Sequence, residues 1–422
     1  MWQNLDFRKL WIANSVSSFG SQITFLALPL TAVTLLHASP MQMGILAACG
    51  TLPFLLLSLP AGLLVDRSRR RPLLVAADLG RAALLGLIPL LAVLGALRIE
   101  YLYSIAFLTG ALSLLYDITE ETYLPTVVED EQLVEGNSQL AAIDSVAELS
   151  APVIAGGLVQ GLTAPIAVAV DAASFLWSAF WLGRIQRREV APKPTGRSDL
   201  WREMREGVTY LARHPLLRPS TLTGIQWQFF GGMTDALLIL FLTETLGLPP
   251  LAIGLVYAAG SLSALAMTRF SNRATHKFGP GPVAVGAALG LGVGWLIVPL
   301  AAGTPWAASG VIAAGMFLAG AGNMIWNVTT TSITQNVTPN RLLGRVNACG
   351  RFLVEGALPI GALVGGALAG QWGVRPTLLL ACGGVLLGVL WVWFSPLRAL
   401  RVLPCADPND ELRNPIRLKA KG

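Results

Sequence analysis

Charge is scarce in this chain: only 13% of its 422 residues are Asp, Glu, Lys or Arg, about half the ~25% of an average soluble domain. Chemically versatile residues are scarce too. The three histidines, His37, His214 and His276, fall in loops or at the edges of apolar segments. An integral-membrane enzyme would need clustered His, Cys or carboxylates, so that class is disfavoured. Cys49, Cys349, Cys382 and Cys405 are scattered without paired spacing, which gives neither a metal site nor a disulfide framework. The phosphate loop G-x-x-x-x-G-K-S/T is missing, so the usual apparatus of ATP hydrolysis is not expected. No cofactor or metal is called for. The net charge of +6 does not imply nucleic acid, because the bases lie in loops between apolar segments, where they meet anionic headgroups.

What is present is apolar length. Hydrophobic residues make up 54% of the chain, and windows of about 20 of them, enough to cross about 30 Å of hydrocarbon, recur almost throughout. Twelve spans are expected near 10–36, 42–65, 72–96, 101–119, 137–160, 165–184, 220–245, 251–270, 281–301, 305–330, 343–370 and 374–395. The first is too long for a signal-peptide core and no small-residue cleavage site follows, so it reads as a retained helix. These spans predict an all-α integral membrane protein in four parts: a six-helix bundle over 1–184, a linker over 185–219, a second bundle over 220–395, and a tail over 396–422. Within the linker, Asp199 to Arg213 reads as an amphipathic helix whose Leu200, Met204, Val208 and Leu211 would lie on the membrane surface. The expected intervals on one face hold 26 of the 30 Lys and Arg residues. By the positive-inside rule both termini are cytoplasmic.

Sliding the chain by about 210 residues lays SPMQMGIL (Ser39–Leu46) on PPLAIGLV (Pro249–Val256). Pro40 then falls on Pro250, Gly44 on Gly254 and Pro72 on Pro282. Three matches at one offset argue for two related halves, a transporter plan that puts the substrate between them.

At the end of the second span the chain reads GLLVDRSRRRP, Gly62 to Pro72. This resembles the loop signature of the major facilitator superfamily, G-x-x-x-D-R-x-G-R-R. It matches at Gly62, Asp66, Arg67, Arg70 and Arg71, and departs at Arg69, where the pattern has Gly. The opening LDFRKLWIANSVSSFGSQITFLALPL and the later ADLGRAALL look like the bacterial branch that exports macrolides and the siderophore enterobactin. The resemblance covers essentially the whole chain and implies two pseudo-symmetric six-helix bundles.

Chemistry suggests a cytoplasmic gate at that loop. Gly62 would let the second span approach a neighbour closely. Asp66, at a helix end, can accept from another helix's N-terminal amides, and the resemblance implies that this is the eleventh span. Arg70 and Arg71 can pair with Asp117, Glu120 and Glu121 at the end of the fourth.

Acids inside spans need a reason, since a mid-membrane charge costs about 2.5–3.5 kcal/mol even on insertion scales. The fifth and eleventh spans both contain E-x-x-x-P, with Glu148 before Pro152 and Glu355 before Pro359. One turn earlier stands Asp144 in the fifth and Arg351 in the eleventh. Arg351 can neutralise Glu355, whereas Glu148 has a like charge beside it and can take and release protons. Asp144 could instead pair with Arg81, which has Asp78 three residues before it on its own span. Asp235 in the seventh span is a further candidate, on a helix that the resemblance makes cavity-lining. Asp171 reads as structural. The superfamily plan lines the cavity with spans 1, 4, 7 and 10, whose polar and aromatic residues are Asn14, Ser18, Gln22, Tyr116, Gln226, Trp227, Asn323, Trp326 and Asn327. Such a lining suits an amphipathic organic molecule, although each residue alone could serve interhelical bonding. The expected function is proton-coupled export of amphipathic small molecules by a monomer, with an importer or lipid flippase on the same scaffold as the alternative.

Overall fold

The computed structural model describes Trp2, residues 4–187, Glu189 and residues 200–401. The expected tail beyond 401 and linker residues 190–199 lie outside that range. Twelve helices among the described residues are long and apolar enough to cross a membrane. The first half comprises α1 (Leu5–Thr34), α2 (Pro40–Arg67), α3 (Arg70–Val93), α4 (Ile99–Val127), α5 (Leu133–Gly161) and α6 (Ala164–Gly183). After the linker helix α7 (Leu200–Arg213) come α8 (Leu217–Leu240), α9 (Pro250–Phe278), α10 (Pro280–Leu300) and α11 (Pro305–Val337). The eleventh crossing is α12 (Asn340–Glu355) plus α13 (Ala357–Trp372), and the twelfth α14 (Val374–Leu387) plus α15 (Val389–Trp393).

Local chemistry fixes many of these starts. Proline opens α2, α9, α10 and α11, where its missing N–H is no loss. Ser39 and Gln42 close a reciprocal capping box on α2. The backbone breaks at Gly356 and Gly388 split the last two crossings. The expected spans hold to within a few residues, except that α4, α9 and α11 run past their predicted ends by about two turns. Hydropathy stops where polar residues begin, whereas the helical hydrogen bonds continue into the water.

Alternating crossings bring both ends of the described chain, α7 and the arginine-rich loops to one end of the bundle, called here the basic face. The two halves meet mainly along α5 with α9 and α2 with α13. Without a hydrophobic drive in lipid, such seams depend on backbones approaching closely. A Cβ on Gly44 would stand 2.6 Å from the Ala362 carbonyl oxygen and 3.0 Å from Gly366 Cα. On Gly254 it would strike the Pro152 carbonyl and come within 3.0 Å of Val153 Cα. Gly156 likewise abuts Pro250 and Leu251, and Gly366 abuts Pro40. The carbonyl contacts map from one seam to the other by the 210-residue shift seen in the sequence: Gly44 on Ala362 matches Gly254 on Pro152, and Gly366 on Pro40 matches Gly156 on Pro250. Two equivalent backbone clasps therefore seal the face opposite the basic one.

Two expectations are corrected here. Gly62 makes no close approach: among the described residues nothing lies within 4 Å of a Cβ built there. The close contact of α2 is at Gly44 instead. Helix α7 docks on protein rather than on the membrane surface. Leu211, Val208 and Met204 join a core with Leu342, Val346 and Cys349 of α12, while the Leu200 side chain lies outside the described set. Glu206 pairs with Arg345 at 2.6 Å, and the Tyr210 hydroxyl donates to the Val337 carbonyl at 2.8 Å. Gly207 brings the α7 backbone onto Cys349. An amphipathic helix buries its stripe wherever an apolar surface is offered, and α12 offers one first.

Candidate functional site: the central vestibule

Below the two clasps the halves part toward the basic face. On the side of that opening Arg351 of α12 crosses to the first half, its guanidinium 5.1 Å from the Phe54 ring of α2. Arg351 is exposed and stands about 17 Å along its helix from the start of α12. Around it lies a set of exposed polar side chains at similar depth.

From the first half come acids. Asp117, exposed, stands about 15 Å from the end of α4, within electrostatic reach of Asp144, Glu121, Arg81 and Arg351. Glu120, half-buried, faces Asp117 and Asp144. Asp144 and Glu148 are both exposed, one turn apart on α5, and Ser18 of α1 donates its hydroxyl to Asp144 at 2.7 Å. Gln22, one turn beyond Ser18, is half-buried.

From the second half, Glu355 accepts the side-chain amide of Gln228 at 2.7 Å. Asn323 and Asn327 are exposed on α11 and joined by a 3.1 Å amide hydrogen bond. Asp235 is exposed higher on α8, beside Tyr257, whose ring meets Phe25 of α1 edge-on at 6.0 Å.

Several expected placements are revised. Arg351 does not neutralise Glu355, because it crosses to Phe54 and leaves that carboxylate to Gln228. Tyr116 does not line the vestibule. It is buried, and its ring lies 4.3 Å from the Arg81 guanidinium, which is covered on another side by Phe175 at 4.1 Å and pairs with Asp78. Asp144 is therefore not the partner of Arg81. Trp227 and Trp326 are buried and meet at a tilt, ring centroids 4.7 Å apart, inside the second half, with the Trp227 indole donating to the Val385 carbonyl. Gln226 turns to the twelfth crossing, donating to Gly384 and accepting from Trp391. Asn14 is buried as well. Tyr116, Trp227 and Trp326 each stand next in sequence to a vestibule residue, Asp117, Gln228 and Asn327, and that rotation of about 100° moves them from cavity to core. Asp171 is structural: it is buried, accepts from Ser174 at 2.9 Å, and sits against Gly20.

The loop signature is arranged differently from the expected latch. Arg71 donates to the Leu182 and Gly183 carbonyls at the end of α6, and the amides of Arg70 and Arg71 donate to the Glu189 carboxylate at 2.6 and 2.7 Å. Asp117, Glu120 and Glu121 are thus not their partners. Asp66 and Arg67 are exposed. Gln228, Phe54, Phe25, Tyr257 and Glu189 are the residues that sequence reasoning missed. Gln228 was accessible to it, since it lies seven residues before Asp235 on one stripe of α8.

The E-x-x-x-P coincidence is also displaced. In the register set by the glycine clasps, Glu148 corresponds to Leu358 and Glu355 to Ser145, so the two glutamates are not symmetry mates. The vestibule is consequently asymmetric: the first half brings the crowded acids Asp117, Glu120, Asp144 and Glu148, and the second brings Arg351 and amides beside the separate acids Glu355 and Asp235.

Two pseudo-equivalent halves around an open polar vestibule define a multi-pass membrane transporter. A family model described as Major Facilitator Superfamily matches residues 10–354 and 229–409, and the chain belongs to that family. It is similar to the multidrug efflux pump Tap of Mycolicibacterium fortuitum, 28% identical over 400 residues, covering 90% of this chain and 93% of that one. It is also similar to macrolide efflux protein A of Streptococcus pyogenes, 21% identical over 382 residues, with 89% and 92% covered. Among solved structures it resembles a bacterial homologue of the iron transporter ferroportin in its inward-facing state, with a TM-score of 0.73, 18% identity, and 92% and 98% of the chains covered. The outward-facing state of a ferroportin homologue fits less well, at a TM-score of 0.59 with the same coverage.

Proposed function

We propose that this protein exports amphipathic small molecules in exchange for protons, by alternating access, as a monomer in the bacterial inner membrane with both termini cytoplasmic. The observation that carries the reading is the acid wall of Asp117, Glu120, Asp144 and Glu148 around the vestibule, answered across the gap by Arg351. Exposed acids at that depth meet water or substrate rather than lipid, and like charges crowded together favour proton uptake. Asp235, near the closed end, is the second proton candidate. Cargo would rest against Gln22, Asn323, Asn327 and the Phe25–Tyr257 pair, polar groups beside aromatic faces. The efflux functions in the names of Tap and macrolide efflux protein A support the outward direction.

With the basic face cytoplasmic, the described conformation is inward-open. The 1–184 and 220–395 halves would rock about the vestibule, joined by the 185–219 linker, with the 396–422 tail on the cytoplasmic side. In the opposite state the Asp66 loop would meet the start of α12 and act as the cytoplasmic gate. The test is reconstitution in liposomes with an imposed pH gradient and a fluorescent amphipathic cation as cargo. Cargo should move against its own gradient, and protons should move the other way. Cargo flux indifferent to the pH gradient would overturn the antiport reading.

A further inference from the structure

A polar cavity and an apolar groove lie one above the other on the seam between α1 and α6. The cavity, of about 610 Å³, is lined by Lys9, Arg71, Arg184 and the chain from Gly183 to Gln186 at the basic end. The groove, of about 520 Å³, is lined chiefly by Val16, Phe19 and Ile23 of α1 and by Val170, Ala173 and Trp177 of α6. Spacing shows that they share one face of each helix. Lys9, Val16 and Ile23 recur every seven residues along α1, and Arg184, Trp177 and Val170 do the same along α6, so each set forms a single stripe. From Lys9 to Ile23 the stripe runs about 21 Å, against about 15 Å for one leaflet of hydrocarbon beneath its headgroups.

The chemistry changes along that stripe as it does along a lipid. At the top, Lys9 donates to Asp6 and to the Arg184 carbonyl, at 2.7 and 2.8 Å, and keeps a third N–H. Arg71 spends donors on the Leu182 and Gly183 carbonyls. The Arg184 guanidinium lies 4.1 Å over the Phe180 ring and makes no hydrogen bond among the described residues. Two carboxylates are close by: Asp6, ion-paired with Lys9, also accepts the amides of Gln186 and Arg187, and Glu189 accepts those of Arg70 and Arg71, so the pocket keeps an excess of positive charge. Three cations therefore face the cavity with donors to spare. In the middle, Trp177, Phe180 and Trp181 form an aromatic cluster with centroids 5.9–6.5 Å apart, at the level where such rings favour the headgroup boundary. At the bottom the lining is apolar, and the groove exists because Gly20 lets α1 settle onto Ser174 and Asp171.

We propose that this seam binds one anionic phospholipid of the basic-face leaflet, its phosphate held by Lys9, Arg71 and Arg184 and one acyl chain lying in the groove. A soluble anion would use the cavity and ignore the groove, whereas a zwitterionic lipid would use the groove and gain little from the three cations. Native mass spectrometry of the purified full chain in detergent, titrated with dioleoyl phosphatidylglycerol or dioleoyl phosphatidylcholine, distinguishes these cases. The wild type should retain one phosphatidylglycerol at roughly tenfold lower concentration than phosphatidylcholine. Lys9→Gln with Arg184→Gln should abolish that preference. Ala173→Trp, which fills the groove from its exposed side, should weaken retention of both lipids, and inorganic phosphate should not compete. Equal retention of the two lipids by the wild type would overturn the proposal. So would competition by inorganic phosphate together with full retention in Ala173→Trp. Should the double variant fail to fold, the Ala173→Trp and phosphate measurements still decide the question.

Discussion

Gln228 donates its side-chain amide to Glu355 at 2.7 Å, from the same stripe of α8 that carries Asp235. The eleventh crossing is thereby tied to the seventh at mid-depth, and Arg351 is free to reach Phe54 in the other half. Glu355→Gln keeps a partner for Gln228 and strands no arginine. It should fold and express like the wild type, with a stability change under about 1 kcal/mol, since interhelical hydrogen bonds average about 0.6 kcal/mol. A thermal melt in detergent checks this; a loss of several kcal/mol would restore an Arg351–Glu355 pair.

Glu148→Gln mimics a protonated acid at nearly constant shape. It should preserve cargo binding and downhill exchange while losing export driven by a pH gradient. Parallel records of cargo and proton flux in liposomes test it, and wild-type coupling in the variant would shift the role to Asp144, Asp117 or Asp235.

Gly44→Val and Gly254→Val should each pry open the sealed face, because the added carbons meet carbonyl groups and not yielding side-chain ends. The equilibrium should move toward the opposite opening. A cysteine placed at Gln22 should then be labelled faster by an impermeant maleimide from the sealed side. Unchanged labelling would mean that the clasps do not hold the state.

Asp78→Asn leaves Arg81 buried without its counter-charge and should cost about 3–5 kcal/mol. Tyr116→Leu removes one face of the cage around Arg81 and should cost less, about 1–2 kcal/mol. Because Tyr116 lies in the first half's interior, its loss should leave cargo selectivity unaltered. A shifted cargo profile at wild-type stability would put Tyr116 back in the cavity.

His214 accepts the amides of Leu216 and Leu217 on Nδ1, at 3.3 and 3.4 Å, and burial holds its pKa below the ordinary 6.5. Only the neutral ring can accept, so this cap is complete above about pH 6.5 and is lost as pH falls through the lowered value. Stability should therefore drop between pH 7.5 and 5.5 more in the wild type than in His214→Asn, by an amount within the ~0.5–2 kcal/mol of a helix cap. Melting curves at the two pH values read the difference.

The sequence revealed the crossings because apolar length needs no partner to be recognised. It also revealed the two halves, since Pro40, Gly44, Pro250 and Gly254 carry the repeat directly. What it hid was rotation. Gln226 and Gln228 are two residues apart in one apolar span, yet one faces Trp391 and the other Glu355. A span that is apolar nearly all round has no amphipathic stripe to reveal its phase. Only Asp235, seven residues on, marks the inner side of α8. The Glu189 cap was hidden for another reason: it joins residues 118 and 119 positions apart, and nothing local in either segment announces it.

The anchoring of the linker at both ends sets a limit on travel. Glu189 fastens its start to α3, and α7 is pinned to α12 through Arg345 and to the end of α11 through Val337. Between these moorings only residues 190–199 remain, a tether that can span at most about 35 Å. Under the proposed rocking of the halves this is a short leash, and a deletion of even a few residues there would shorten the stroke without touching the vestibule.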